Sequence, residues 1–285
     1  MSKSFLLPLS LLTIAELPAF AVLSFLAIVQ GLTEFLPISS SGHLVLAQAA
    51  MGLDEPAIVV DVALHVGTLA AVLVVYRRDL AELVTGLFRG SFREPLYIVL
   101  GTLPVVVVGL GFKDRIEHAF ESPRVAAYGL FFTAAMLLMG EWFRRKQLSL
   151  ATSDSEEVGR RELDAKTVLL VGVAQAMAIC PGISRSGSTI ATGLALGLAP
   201  AAAARLSFLL AIPAIIGAAV LQLPDAMESG GIDAKGPLLW AMALAAFVGW
   251  GALRVLLAFL GRGAFAWFAV YCVTLGVGYL AFGPT

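Results

Sequence analysis

Long apolar segments alternate with short polar connections along most of the chain. Each of six segments approaches the roughly 20 residues that a helix needs to cross a bilayer. They cover residues 59–76, 96–112, 125–143, 202–222, 237–257 and 264–282. Apolar runs of this length, bounded by charge, glycine and proline, are typical of spanning helices. The pattern predicts an all-α integral membrane protein, a polytopic bundle of about six to seven spanning helices.

The seventh candidate lies at the N-terminus, where residues 1–20 read MSKSFLLPLSLLTIAELPAF. Glu16 and Pro18 occupy the positions where a secretory signal peptide would need small residues for cleavage. We therefore interpret this segment as a first membrane helix, with a cleaved signal peptide as the alternative.

Composition agrees with this class and excludes several others. The 285 residues are 59% hydrophobic and only 14% charged, whereas soluble domains carry roughly 25% charged residues. The net charge of -1 gives no reason to expect nucleic-acid binding. Cys180 and Cys272 lie in different apolar segments and match neither a metal-ligand spacing nor a disulfide framework. We expect neither redox chemistry nor a cysteine metal site.

The most polar segment, residues 144–166, predicts a linker that divides the chain nearly in half. It holds six lysines and arginines, and the connection at 77–95 holds four. The connection at 113–124 holds three and that at 223–236 holds one. By the positive-inside rule the two richest connections lie on the cytoplasmic side.

An internal repeat relates two segments that lie 145 residues apart. QGLTEFLPISSSGHLVLAQAAMGL (30–53) and QAMAICPGISRSGSTIATGLALGL (175–198) share eight of 24 positions, concentrated in the pattern I-S-x-S-G. Three spans lie between the copies. Because an odd number of crossings reverses the direction of the chain, one copy is inverted relative to the other. We therefore expect inverted repeats at 22–143 and 167–285, each with a re-entrant helix hairpin that contributes half of one site.

Charged residues in both hairpins indicate what this site binds. A charge at bilayer depth costs at least about 2.5 kcal/mol, so Glu34 and Arg185 need a compensating role. The segment PGISRSGST places Arg185 among hydroxyls at a predicted helix N-terminus, and a guanidinium binds two phosphate oxygens at once. This pattern favours a phosphate site. Two alternatives stay open: a structural Glu34–Arg185 ion pair, and small residues that only let helices pack closely.

The first hairpin adds acid and base groups that the second lacks. Glu34 and His43 align with Ile179 and Ser188. A carboxylate beside phosphate oxygens also suits a divalent cation, so we expect Mg²⁺ or Ca²⁺ at Glu34 together with substrate phosphates.

Two further histidines lie outside the hairpins. Asp61 and His65 are four residues apart on the first span after the hairpin, share a helix face and are assigned a supporting role. We expect His118, in the charged segment KDRIEHAFESPR, to be solvated.

The two polar segments QGLTEFLPISSSGH and PGISRSGST closely resemble the signature segments of the undecaprenyl-diphosphate phosphatases of the bacitracin-resistance type. The runs DVALHVGTLAAVL (61–73) and FLLAIP (208–213) are also similar to that family, and the resemblance covers the chain from about residue 22. It implies a membrane hydrolase that removes the terminal phosphate of a C55 polyprenyl diphosphate. It further implies recycling of the lipid carrier for cell-wall polymers in the bacterial plasma membrane, and resistance to bacitracin.

The resemblance also assigns roles to individual residues. The acid and base groups fall on Glu34 and His43, and the motif serine of the first segment falls on Ser40. The phosphate-binding residues fall on Arg185, Ser184 and Thr189, with Ser186 and Ser39 as neighbouring hydroxyls. Gln30 stands where the acidic form of the pattern has a glutamate. Because an amide cannot act as a base, Glu34 must do this work alone.

Several alternatives stay open at this point. Either water or Ser40 attacks phosphorus. A secondary transporter or flippase of a lipid phosphate would share the inverted repeat and Arg185, but would have less need of Glu34 and His43 together. The charge pattern favours an extracytoplasmic opening of the pocket. The oligomeric state, including a homodimer, is not determined by the sequence.

Overall fold

The computed structural model describes residues 19–53, 58–150, 163–228, 235–260 and 265–284. These residues form twelve helices: α1 (Ala19–Phe35), α2 (Ser40–Ala50), α3 (Ile58–Val75), α4 (Arg77–Phe88), α5 (Arg93–Gly111), α6 (Lys113–Phe120), α7 (Pro123–Leu150), α8 (Ala165–Met177), α9 (Arg185–Ala195), α10 (Pro200–Glu228), α11 (Lys235–Phe259) and α12 (Phe265–Phe282). The predicted N-terminal membrane helix falls almost wholly on residues 1–18, outside the described ranges.

Five of the described helices are long and apolar enough to cross a membrane, namely α5, α7, α10, α11 and α12. A sixth span forms if α3 and α4 are counted together, although their axes are bent by 73°. The six spans predicted from the sequence fall on α3 and on these five helices. The protein is therefore a polytopic, all-helical membrane protein, as predicted.

Four stretches predicted as connections are partly helical, including the one at 223–236, where α10 continues to Glu228. The connection at 77–95 contains α4, and that at 113–124 contains α6. Helix α7 continues to Leu150, so residues 144–150 of the predicted linker are helical. Glu141 explains this extension, because its buried carboxylate accepts hydrogen bonds from both Arg144 and Arg145 in the next turn. Residues 151–162 of the linker lie outside the described ranges.

Two helix hairpins, α1–α2 and α8–α9, are built by the shared I-S-x-S-G pattern. In each hairpin the first serine caps the second helix: Ser39 accepts from Gly42 N at 3.2 Å, and Ser184 accepts from Gly187 N at 3.1 Å. In each hairpin the second serine hydroxyl lies 3.3 Å from the capping hydroxyl. The repeated pattern is thus a repeated helix cap, which satisfies backbone N–H groups that have no partner within the helix.

The turns of the two hairpins pack against each other. The backbone of Gly182, at φ +86°, lies so close to Gly42 that a Cβ on Gly42 would overlap it. Ser186 Oγ donates to the backbone carbonyl of Leu36 at 3.2 Å, which joins the second hairpin to the first. Only glycine allows this backbone approach. The start of α2 and the start of α9 therefore meet inside the protein.

Helix α7 holds the second turn in place through one threonine. Thr133 is fully buried, and its hydroxyl donates to Gly182 O and accepts from Ser184 N, both at 2.8 Å. Both bonds satisfy backbone groups of a buried, non-helical turn, which would otherwise carry a desolvation cost. The turn is consequently fixed relative to a spanning helix.

Spanning helices from opposite halves of the chain enclose the hairpins. Helix α1 packs on α11, and α8 packs on α5, while α7 packs on α12. Each hairpin thus packs against a helix from the other half of the chain. This exchange agrees with an inverted repeat, which stays a prediction.

Close packing of α8 on α5 predicts a stability effect at Gly172. A Cβ on Gly172 would overlap the backbone of Gly101, so Gly172→Ala must push the two helices apart. We expect a loss of about 1–3 kcal/mol in the free energy of unfolding. Gly217→Ala in α10 is the control, because nothing lies within 4 Å of its Cβ position. Thermal unfolding in detergent should show a lower melting temperature for Gly172→Ala only, and equal melting temperatures would contradict the packing.

Candidate active site

A cavity of about 430 Å³ lies between both hairpins and helices α3, α5, α6 and α10. This volume falls within the range of ligand pockets. The hairpins and α3 contribute most of its polar side chains, namely Glu34, Ser39, Ser40, Ser41, Asp61, His65, Gln175, Ser184 and Arg185. Helices α5 and α10 contribute mainly apolar side chains, including Val105, Ala214, Ile215, Ala218 and Ala219. The cavity can thus hold a ligand with a polar head and an apolar tail.

The carboxylate of Glu34 organises the polar part of the cavity. It lies in the last turn of α1, is 6% exposed, and forms an ion pair with the guanidinium of Arg185 through Oε1. Its other oxygen accepts from Gln30 Nε2 at 3.0 Å and from Ser40 Oγ at 2.5 Å. His65 Nε2 lies 3.7 Å from the same oxygen. One carboxylate therefore joins α1, α2, α3 and α9.

The repeat explains how these residues meet. Ser40 and Arg185 are the first residues of α2 and α9, and they occupy equivalent positions 145 residues apart. Because the two turns pack together, both residues reach Glu34. The turn before Ser40 is strained, since Ser39 adopts φ +70°, a region that non-glycine residues rarely occupy. The predicted Glu34–Arg185 pair is present, and it lies beside a cavity.

Some donors and acceptors in this cavity have no partner among the described residues. Arg185 Nη1 and both amide atoms of Gln175 are buried and form no hydrogen bond. The sequence alone assigns no role to Gln175, although the repeat aligns it with Gln30. Buried polar groups without a partner are rare in proteins, and these atoms belong to residues that also line the cavity, where a ligand can complete their hydrogen bonds.

The structure does not bring His43 into the cavity. His43 Nδ1 lies 2.7 Å from Ser39 O, and Nε2 lies 2.8 Å from the hydroxyl of Tyr271 on α12. The His43 and Tyr271 rings also stack, with centroids 5.6 Å apart. The histidine that lines the cavity is His65. A catalytic role of His43 stays a prediction from the sequence, without support from its position.

Two of the predicted phosphate-binding hydroxyls also have protein partners outside the cavity. Ser186 donates to the first hairpin, as described above. Thr189 Oγ1 donates to Arg185 O at 2.7 Å and lies 2.6 Å from Ser207 Oγ on α10. Ser39 and Ser184 do line the cavity. The arrangement gives Ser186 and Thr189 a role in holding the hairpin, and their predicted contact with phosphate stays a prediction.

Asp61 and His65 both line the cavity, and their supporting role stays a prediction. His65 Nδ1 lies 2.7 Å from the backbone carbonyl of Asp61 and must donate to it, because a carbonyl only accepts. His65 Nε2 is then left to face Glu34 and to exchange a proton. The Asp61 carboxylate accepts from Gln48 Nε2 at 3.0 Å, which connects α3 to α2.

The described residues contain no group of three or more histidine, cysteine, aspartate or glutamate side chains that could hold a metal ion. Glu34, Asp61 and the hydroxyls of Ser39–Ser41 nevertheless place oxygen ligands around one cavity. Oxygen ligands completed by phosphate are what Mg²⁺ and Ca²⁺ accept. These residues fit the expected divalent cation only if the ligand supplies further oxygens.

Helix α6, which lies between two spanning segments, and the residue after it add two acidic side chains to the cavity wall, Glu117 and Glu121. His118 is solvent-exposed, as predicted, and its Nδ1 lies 3.0 Å from Glu121 Oε2. This hydrogen bond and the negative charge of Glu121 raise the pKa of His118 above its ordinary value. The positive charge on His118 is therefore present below this raised pKa and is lost as the pH rises through it.

Comparison with known proteins finds a matching family and similar proteins. Residues 23–278 match the family described as bacitracin resistance protein BacA. The chain is 41% identical over 268 residues to the undecaprenyl-diphosphatase of Desulfosudis oleivorans, and this alignment covers 88% of this chain and 94% of that protein. It is 40% identical over 274 residues to the undecaprenyl-diphosphatase of Desulfatibacillum aliphaticivorans, covering 90% and 95%. The undecaprenyl-diphosphatase of Carboxydothermus hydrogenoformans is 40% identical over 262 residues, covering 90% and 94%.

The buried Glu34–Arg185 pair predicts a stability cycle. Removing one partner leaves an uncompensated buried charge, so we expect Glu34→Gln and Arg185→Met each to lower the free energy of unfolding by about 3 kcal/mol. The double variant should regain much of this loss. The control Glu117→Gln breaks an exposed pair with Lys113 and should cost less than about 1 kcal/mol. Melting temperatures in detergent test this, and additive losses in the double variant would show that the pair does not couple the hairpins.

Proposed function

The chain belongs to the family of the bacitracin resistance protein BacA, and from this membership we propose that it hydrolyses undecaprenyl diphosphate to undecaprenyl phosphate and inorganic phosphate. The observation that carries the proposal is the convergence of Ser40, Glu34 and Arg185 at one cavity wall. These three side chains supply a nucleophile, a base and a cation for phosphoryl oxygens. Phosphoryl transfer needs mainly such positioning and charge neutralisation.

The proposed binding mode follows from the two kinds of cavity wall. The diphosphate contacts Arg185 and the backbone N–H groups at the start of α9, where the helix dipole also favours negative charge. The isoprenoid lies along the apolar side chains of α5 and α10. An incoming phosphate competes with Glu34 for the planar fork of Arg185. Substrate binding thereby releases Glu34 from its ion pair and leaves its carboxylate free to accept a proton.

We assign the attack to Ser40, because its hydroxyl already donates to Glu34 Oε2. The Ser40 oxygen forms a bond to the terminal phosphorus while the bond from that phosphorus to the bridging oxygen breaks. The Ser40 proton passes to Glu34, and undecaprenyl phosphate leaves. Water then attacks the phosphorus of the phosphoserine while the bond from phosphorus to Ser40 Oγ breaks, and inorganic phosphate is released. Glu34 returns its proton to Ser40 Oγ, which regenerates the free serine and the carboxylate. His65, next to Glu34, exchanges the proton that the leaving oxygen or the attacking water requires.

A divalent cation fits this site together with the substrate. Glu34 and the serine hydroxyls of the first hairpin would hold Mg²⁺ or Ca²⁺, with the remaining ligands from the diphosphate. The cation would neutralise charge on the phosphate oxygens.

The cellular role follows from the same substrate. A membrane enzyme that produces undecaprenyl phosphate would recycle the lipid carrier of cell-wall polymers in the bacterial plasma membrane. Consumption of the diphosphate lipid would confer resistance to bacitracin. An opening on the extracytoplasmic side agrees with the charge pattern of the connections.

The reaction is tested by phosphate release. With Mg²⁺ or Ca²⁺ in detergent, we expect the wild-type protein to release phosphate from farnesyl diphosphate, and Ser40→Ala to lower kcat at least about 100-fold. Ser149→Ala, on the exposed end of α7, is the matched control and should retain activity. Rapid quench with labelled diphosphate should trap phosphoserine. If Ser40→Ala releases phosphate at the wild-type rate, water and not Ser40 attacks phosphorus. If the wild-type protein releases no phosphate, the proposed phosphatase activity is refuted.

The position of the two histidines gives a second prediction. His65 lines the cavity and His43 bonds to Tyr271, so His65→Asn should lower kcat by about 100-fold and His43→Asn by less than about tenfold. The control Tyr271→Phe removes the hydroxyl partner of His43 and should resemble His43→Asn. Steady-state kinetics on the three variants decide the matter. A larger decrease in kcat for His43→Asn than for His65→Asn would show that His43 has the catalytic role.

A further inference from the structure

Gln175 is buried in α8, lines the cavity and has an amide without a partner. It is 1% exposed, and neither Nε2 nor Oε1 forms a hydrogen bond with any described residue. Such an amide has lost its hydrogen bonds to water and forms none to the protein, which costs free energy. Because Gln175 also lines the cavity, a ligand there can complete the hydrogen bonds of its amide.

The repeat explains why this amide is free. Gln30, at the equivalent position of the first hairpin, donates to Glu34 one helical turn later. In the second hairpin Ile179 stands at the position equivalent to Glu34. Gln175 therefore has no polar partner one turn away on its own helix. The two glutamines have different uses, although they occupy equivalent positions.

The groups around Gln175 indicate the chemistry of the ligand. Arg185 Nη1 is also buried without a partner and lines the same cavity. Helix α9 begins at Arg185, so its first N–H groups and its positive dipole end lie at this wall. An anion with several oxygens, such as a phosphoryl group, satisfies these donors. The amide oxygen of Gln175 additionally suits a phosphoryl oxygen that carries a proton, because Nε2 donates while Oε1 accepts.

We propose that Gln175 is a phosphate-binding residue, whose amide contacts the phosphoryl group held by Arg185. The proposal rests on the proposed function and extends the site from the first hairpin to α8. The phosphoryl group belongs either to the terminal phosphate of the lipid diphosphate or to the inorganic phosphate that is released. Both present the same oxygens to the same donors.

A binding role and a structural role of Gln175 predict opposite effects on the ligand-free protein. If the amide is unpartnered, Gln175→Met removes a buried polar group of similar size, and the melting temperature stays equal or rises. If the amide held the fold together, the melting temperature would fall. The matched control is Thr167→Val on the same helix. Thr167 is also buried with an unpartnered hydroxyl, but it does not line the cavity.

The experiment compares purified wild type, Gln175→Met and Thr167→Val in detergent. We expect inorganic phosphate to raise the melting temperature of wild type and Thr167→Val, and to raise that of Gln175→Met only at about tenfold higher concentration. With farnesyl diphosphate, KM and the inhibition constant of inorganic phosphate should both rise about tenfold in Gln175→Met. Gln175→Glu, of similar shape but negatively charged, should weaken phosphate binding further.

The inference is refuted if phosphate does not stabilise wild type, if Gln175→Met keeps wild-type KM and phosphate affinity, or if its ligand-free melting temperature falls. The binding measurement does not require turnover. Phosphate stabilisation that depends on Gln175, without release of phosphate from the diphosphate by wild type, would therefore refute the proposed reaction and leave this inference standing.

Discussion

The ion pair between Glu34 and Arg185 is the interaction on which the rest of the structure depends. It joins the end of α1 to the start of α9, which are 151 positions apart in sequence. Two opposite charges inside a membrane protein are tolerable only when each compensates the other. The pair therefore requires that the two hairpin turns meet, and the glycines at the junction allow them to do so. In the proposed function the same pair has a second use, because a bound phosphate would compete for its cation and release its carboxylate.

One repeated pattern serves two different purposes. In both hairpins the I-S-x-S-G pattern caps a helix with serine and admits close packing with glycine. The variable position of the pattern holds Ser40 in the first hairpin and Arg185 in the second. The caps are therefore equivalent, whereas the chemistry is not. The site is asymmetric because residues within and before the repeated caps differ: Ser40 and Glu34 of the first hairpin align with Arg185 and Ile179 of the second.

The sequence predicts the spanning helices well, because a bilayer demands a minimum apolar length that can be counted. It also predicts that Glu34 and Arg185 act together, because a single uncompensated charge at bilayer depth costs too much free energy. It fails for α4 and α6, whose charged residues indicate connections but also suit surface helices. It cannot decide between His43 and His65, because the direction of each side chain depends on how α2 and α3 pack. Gln175 was detectable in the aligned repeat, but only its missing partner distinguishes it from Gln30.

The most direct test of a shared site is an experimental structure with a non-hydrolysable methylene-bridged analogue of farnesyl diphosphate. The account predicts the terminal phosphonate at the junction of the two hairpins, in contact with Arg185, with Ser40 facing its phosphorus and the Glu34–Arg185 ion pair opened. A phosphonate bound elsewhere, with that pair intact, would contradict the account.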